Sequence, residues 1–134
     1  MVLDTSACLD IVLDTEPGRA LHGLLVDPEP ALLAPGLLWV EVGRVLRSKV
    51  VAGALSRPGA DAALADFFDL GVEETQHEPL LPRAWQLRDS LTVDDAVFVA
   101  LAEATAQPLL TTDLRLAGAA RRHARVAVVT HAEA

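Results

Sequence analysis

The chain of 134 residues is 51% hydrophobic, poor in aromatics at 4%, and acidic, with 19 Asp and Glu against 11 Lys and Arg for a formal net charge of −8. That length makes one domain, residues 1–134, able to bury most of its apolar surface without staples, and the single Cys8 excludes an internal disulfide and fits a reducing compartment. The charge excludes gripping nucleic acid by a broad basic face, yet allows a phosphodiester enzyme whose carboxylates are neutralised by divalent cations.

The N-terminal stretch has no basic lead, and Asp4 and Asp10 break its apolar part, so no signal peptide is expected. The longest uncharged apolar run, Pro30 to Val40, is interrupted by Pro35 and Gly36 and is too short to cross a bilayer. The expectation is a cytoplasmic protein without a membrane span.

In chain order, Val2-Leu3 predicts a short strand that feeds a helix, Ala7 to Leu13, through the cap-forming turn Asp4-Thr5-Ser6. Pro17-Gly18 reads as punctuation before a second helix, Arg19 to Val26, and Asp27-Pro28-Glu29-Pro30 as a loop. Ala31 to Ala34 predicts a buried strand stopped by Pro35-Gly36, and Leu37 to Val51 a long helix closed by Gly53. A helix follows from about Ala60 to Leu70, then a short strand at Val72 to Thr75 and a helix within Pro79 to Leu91.

Leu91 to Ala104 is the most informative stretch. Wound as a helix it is apolar on nearly every side, with Glu103 its only late charge, and so it is expected to be buried. Asp94 and Asp95 fall at its N-terminus, where the helix dipole favours an anion, and Thr92 with Asp95 resembles a capping box. Leu109 to Thr111 then predicts a strand, Asp113 caps a helix from Leu114 to about His123, and Val126 to Val129 predicts the last strand. Short uninterrupted apolar strands alternating with helices predict a three-layer α/β/α sandwich around a parallel sheet of four to five strands.

In open parallel sheets, ligands bind beyond the carboxyl ends of the strands. Asp4 and Asp113 both fall on that edge, and Asp94 and Asp95 begin the helix leading to the Asp113 strand. Glu41 sits at the border of the apolar face of its helix, beside a polar sector holding Arg44 and Arg47. Taken alone, Glu41 reads as well as a solvated partner of Arg44, and each Asp as a helix cap. Together they form a cluster whose repulsion and desolvation either hold protons on the acids or call for a hard cation. Oxygen donors without a neighbouring His/Cys set suit Mg²⁺ or Mn²⁺.

Four segments, Met1-Val2-Leu3-Asp4-Thr5-Ser6-Ala7, Val40-Glu41-Val42-Gly43-Arg44-Val45-Leu46-Arg47, Leu91-Thr92-Val93-Asp94-Asp95-Ala96-Val97-Phe98-Val99-Ala100-Leu101-Ala102-Glu103 and Pro108-Leu109-Leu110-Thr111-Thr112-Asp113, resemble in that order the motifs of PIN-domain ribonucleases. The resemblance covers essentially the whole chain and is closest to VapC-type toxins of toxin–antitoxin pairs. It implies a PIN-like fold and an Mg²⁺- or Mn²⁺-dependent endoribonuclease acting on RNA (tRNA, rRNA or mRNA). Asp4 and Asp95 would be the main metal ligands, Asp113 would complete the set, and Glu41 would bind metal or orient the attacking water. Ser6 and Thr112 match hydroxyl positions that could hold metal-bound waters. A homodimer and a cognate antitoxin covering the site are implied as well. Relatives often carry an aromatic residue where this chain has Asp94; the register of Asp95-Ala96-Val97-Phe98 favours Asp95 as the ligand and leaves Asp94 as a cap or outer acid.

The remaining candidates read as structural. His22, His77, His123 and His131 share no metal-ligand spacing, Cys8 has no paired His, and the run Arg121-Arg122-His123-Ala124-Arg125 reads at least as well as a complement to the helix dipole as a contact for RNA phosphates. Arg44 and Arg47, flanking Glu41, are the candidate substrate contacts. Two rival enzyme readings remain: a housekeeping PIN-type nuclease, or a phosphohydrolase with a nucleophilic first-strand Asp, which commonly needs a second Asp where this chain has Ser6. The non-enzyme rival is a catalytically silent PIN-like binding domain whose acids serve only as caps.

Overall fold

The computed structural model describes residues 1–134. Five strands, β1 (Val2–Leu3), β2 (Leu33–Pro35), β3 (Glu73–Thr75), β4 (Leu109–Thr111) and β5 (Val128–Thr130), form one sheet in the order β3-β2-β1-β4-β5. Every neighbouring pair is parallel. Seven α-helices connect them: α1 (Thr5–Val12), α2 (Glu16–His22), α3 (Leu37–Val51), α4 (Arg57–Asp69), α5 (Leu81–Gln86), α6 (Val93–Thr105) and α7 (Leu114–His123). Right-handed crossovers put α1 to α4 on one face and α5 to α7 on the other, the three-layer sandwich that the alternation predicts.

Burial follows from that layering. Val2, Leu3, Leu109 and Leu110 are enclosed between helices, and in α6 every residue from Ala96 to Ala102 is buried. The helix apolar on nearly every side is thus the one that packs across the sheet centre, touching β1, β2 and β4. It starts at Thr92, whose hydroxyl accepts from the Asp95 N–H at 3.2 Å, and ends at Ala106 in a left-handed conformation (φ 51°). Helix α3 ends before Gly53, which supplies φ 75°, as its position past Val51 predicts.

Several boundaries move, each for a local reason. Helix α2 starts at Glu16 rather than Arg19 because the Thr15 hydroxyl accepts from Gly18 N–H and Pro17 lies in the first turn; it stops at His22, with Gly23–Leu25 a 3-10 turn. Ser56 caps α4 in the same way, drawing its start back to Arg57. Pro-Gly after a hydroxyl residue therefore opens these helices, since a first-turn proline loses no intrahelical bond. Strand β2 extends to Pro35, whose missing donor falls at the end of the ladder, where the Gly36 N–H takes over by donating to Thr75 O. The helix expected within Pro79 to Leu91 is only six residues long, preceded by a 3-10 turn at Glu78–Leu80. Strand β5 is displaced to Val128–Thr130, in register with Leu109 to Thr111.

Candidate active site

The chain runs from β1 outward to β2 and β3, then returns across the sheet to β4 and β5 on the other side of β1. Strand order therefore reverses between β1 and β4, the crevice where open α/β sheets bind ligands. Asp4 follows β1 and Asp113 follows β4, and since these strands are hydrogen-bonded neighbours the two acids flank that crevice. Glu41 reaches it from the second turn of α3 and Asp95 from the first turn of α6. All four line one cleft of about 260 Å³, with Thr5, Ser6, Leu9, Val45 and Phe98.

Asp4 is held most firmly. Its Oδ1 accepts from Ala7 N–H at 2.8 Å, the cap of α1, and from the Ser6 hydroxyl at 2.9 Å, while Oδ2 accepts from the Thr111 hydroxyl. The residue is 4% exposed. Burial pushes its carboxyl up to about 6 against the three hydrogen bonds, and the negative charge of Asp113 adds to the rise. Asp113 caps α7 through Oδ1, which accepts from Arg115 and Leu116 N–H at 3.0 and 3.1 Å, and its own N–H donates to Thr111 Oγ1 at 3.0 Å.

Glu41 Oε1 accepts from the Thr5 hydroxyl at 2.8 Å, and Oε2 faces Arg44 at 3.4 Å. Both expectations for this residue hold in part, since it pairs with Arg44 at i+3 and also lines the acid cleft. Burial first, then the charges of Asp94 and Asp95, raise it above the usual carboxylate range against Thr5 and Arg44. Asp95 is raised as well, by burial and then by Asp113 and Asp94, opposed by Thr92 and Arg115. Asp94 itself is exposed and outside the cleft lining, acting on the site through its charge.

Two expected contributors turn elsewhere. The Thr112 hydroxyl donates to Asp10 Oδ2 at 2.6 Å, pinning the β4 end to α1, so it does not face the acids; the buried Thr111 supplies the hydroxyl beside Asp4. Side chains alternate across a strand, and this parity, not the Thr-Asp adjacency, selects Thr111. Arg47 lines a different groove, between α3 and α4. Thr5 joins the site without a sequence signal of its own, set at the mouth of the same crevice by its place one position beyond Asp4. His77 has a structural part: its Nε2 accepts from Leu37 N–H at 2.8 Å and caps α3. Cys8 is buried, and desolvation, with Asp4 nearby, pushes its thiol up to about 12, the state of an inert core residue.

The donor set in the cleft is all oxygen, as a hard cation prefers. No three His, Cys, Asp or Glu side chains converge as a ready-made chelate; the four acids ring the space instead. The cleft is roomy enough for a cation that keeps much of its hydration shell. Raised carboxyls within reach of each other's charge are the electrostatic condition that such a cation relieves. The residues present fit the group.

A family model described as PIN domain matches residues 1–122. Ribonuclease VapC12 of Mycobacterium tuberculosis is 35% identical over 129 residues, covering 96% of this chain and 98% of that one. Ribonuclease VapC1 of the same organism is 41% identical over 120 residues, 88% of this chain and 89% of that one. Among solved structures, PAE2754 from Pyrobaculum aerophilum superposes with a TM-score of 0.69 at 19% identity, over 95% of this chain and 81% of that chain. The VapBC2 complex from Rickettsia felis, bound to a DNA fragment from their promoter, gives 0.67 at 12% identity over 96% of each chain. These two likenesses speak for the fold.

Proposed function

The chain belongs to the PIN-domain family, and from that premise we infer that it is an endoribonuclease, the toxin of a toxin–antitoxin pair, hydrolysing RNA phosphodiester bonds with Mg²⁺ or Mn²⁺ as cofactor. The observation that carries this reading is that Asp4, Glu41, Asp95 and Asp113, from four separate segments, line one cleft at the switch point of the sheet.

When bound, the cation supplies an activated water and neutralises the leaving oxygen of the phosphodiester. The protein's part is to orient the carboxylates. Ala7 N–H, Ser6 and Thr111 fix both oxygens of Asp4, so this acid presents a set lone-pair direction. The α7 amides hold Asp113 by one oxygen and leave the other for the cleft. Asp95 approaches from α6, and Glu41, steered by Thr5, stands where a carboxylate can take a proton from attacking water. Asp4, Asp95 and Asp113 are assigned to the metal, and Glu41 to the metal or the water.

The partners in this reading are an RNA, a cognate antitoxin and a second copy of the chain, with the cytoplasm as compartment. Exposed Leu81 and Trp85, one turn apart on α5, supply apolar surface for such contacts. No helix is long and apolar enough to cross a membrane.

The test is RNA cleavage by purified protein stripped with EDTA. Cleavage is expected to return with Mg²⁺ or Mn²⁺ and to fall at least a hundredfold in Asp95→Asn and Asp113→Asn, both of which keep the native circular dichroism spectrum. Unchanged cleavage by both variants rejects the reading.

A further inference from the structure

Beside the acid cleft, and sharing Asp95 with it, lies a second hollow of about 160 Å³ between the start of α6 and one face of α7, lined by Ser90, Leu91, Thr92, Arg115, Leu116, Ala119 and Arg122. Leu91, Leu116 and Ala119 are buried and make its floor; Arg115 and Arg122 are exposed at its rim. Residues seven apart on a helix lie on one face, about 10 Å along the axis, so the two guanidiniums flank the hollow in file.

Neither arginine is held in an ion pair, although the charge of Arg115 acts on Asp95. Arg19, Arg44, Arg83 and Arg121 are spent on Asp14, Glu41, Glu103 and Glu133, and Arg88 lies over the Trp85 ring at 4.6 Å. Arg47 and Arg57 belong to the separate groove between α3 and α4. The Thr92 oxygen accepts the Asp95 N–H, which leaves its own proton free to be donated outward. In a protein of net charge −8, a polyanion laid across four carboxylates needs cations close by, and this hollow holds the two arginines that adjoin the cleft without an ion pair.

We propose that the hollow between α6 and α7 is a subsite for the RNA backbone, in which Arg115 and Arg122 hold the phosphates next to the one being cut and the Ser90 and Thr92 hydroxyls contact phosphate or ribose. The proposal rests on the ribonuclease reading for the position of the scissile bond. It assigns the arginines to positioning and affinity, with no sequence preference, since phosphate contacts fix register without reading bases.

The test uses a fluorescein-labelled single-stranded RNA of mixed sequence, with binding followed by anisotropy over a series of salt concentrations in EDTA, where hydrolysis is stopped. Arg115→Gln with Arg122→Gln is compared with wild type and with Arg19→Gln plus Arg88→Gln, which removes the same charge elsewhere. The expected result for the Arg115/Arg122 pair is an affinity about tenfold weaker at low salt and a log–log salt slope shallower by about 1.4, the value for two lost phosphate contacts on a single strand. The control pair leaves both quantities near wild type. Wild-type affinity and slope in the Arg115/Arg122 variant, or equal losses in both pairs, overturn the subsite. So does arginine-dependent binding of a labelled polyglutamate peptide with RNA binding unaffected, which points to an acidic protein segment. Cleavage in Mn²⁺ separates the two readings. Arginine-dependent binding without wild-type cleavage keeps the subsite and rejects hydrolysis, whereas cleavage with arginine-independent binding does the reverse. A wild type that neither binds nor cuts RNA rejects both.

Discussion

Asp4 accepts three hydrogen bonds and still titrates near 6, because burial of its charge outweighs what two hydroxyls and one amide return. The sign of the linkage follows. An unfolded Asp releases its proton near 3.9, so between that pH and about 6 the folded protein binds the extra proton. The contribution of this residue to stability is fully present below about pH 4. It falls by on the order of 2–3 kcal/mol as pH rises through 6. Thermal unfolding of EDTA-treated protein from pH 4 to 8 should show this descending limb; Asp4→Asn should flatten it, and Mn²⁺ should lift the neutral end. Thr111 has the complementary role. Thr111→Val keeps the volume but leaves Asp4 Oδ2 and the Asp113 N–H without their partner. Burying unpaired polar groups costs about 1–3 kcal/mol, and loss of an orienting partner is expected to reduce metal affinity roughly tenfold or more. Thr111→Ser should restore most of it in a Mn²⁺ titration. Asp4, Asp95 and Asp113 are legible because each follows a strand or opens a helix, and Glu41 because it sits at the border of the apolar face of α3. Their hydroxyl supports were less so: whether Thr111 or Thr112 faces Asp4 depends on strand parity at a three-residue strand, which no local pattern fixes.

The elements most readable in the sequence are those whose signals are redundant. Helix α6 combines a Thr92 cap with a surface apolar on nearly every side, and α7 begins at a capping Asp and ends in a basic turn. Pro-Gly carries two meanings, which sets the expected starts of α2 and α4 three residues too late, and only the preceding Thr15 or Ser56 hydroxyl decides between them. Gly18 has a further reason to be glycine. A Cβ there would lie 1.9 Å from the carbonyl oxygen of Asp10, so α1 and α2 approach backbone to side. That close approach also keeps Asp10 where Thr15 and Thr112 hold its carboxylate, at 2.9 and 2.6 Å. Gly18→Ala forces the helices apart and is expected to cost about 1–3 kcal/mol, read as a lower midpoint in urea. Because Thr112 ties that unit to β4, the same variant should also lose activity, beyond what its unfolded fraction explains.

For the whole molecule, the alternation of strands and helices fixed the class of fold, and the right-handed crossover rule limited the topologies. Strand order was the missing step. Nothing in Val2-Leu3 or Leu109 to Thr111 says that they are neighbours, and that adjacency brings Asp4 and Asp113 together. The core explains why the acids can be held in this way: α6 is buried along seven consecutive residues and carries Asp95 on its first turn, so that carboxylate stands on a rigid support. Calorimetric titration of Mn²⁺ into EDTA-stripped protein, repeated in buffers of different ionisation enthalpy near pH 6, tests this account most directly. Binding with net release of protons, at least tenfold weaker in Asp4→Asn and in Asp95→Asn, is the predicted result. Absence of binding, or equal affinity in wild type and both variants, would contradict it.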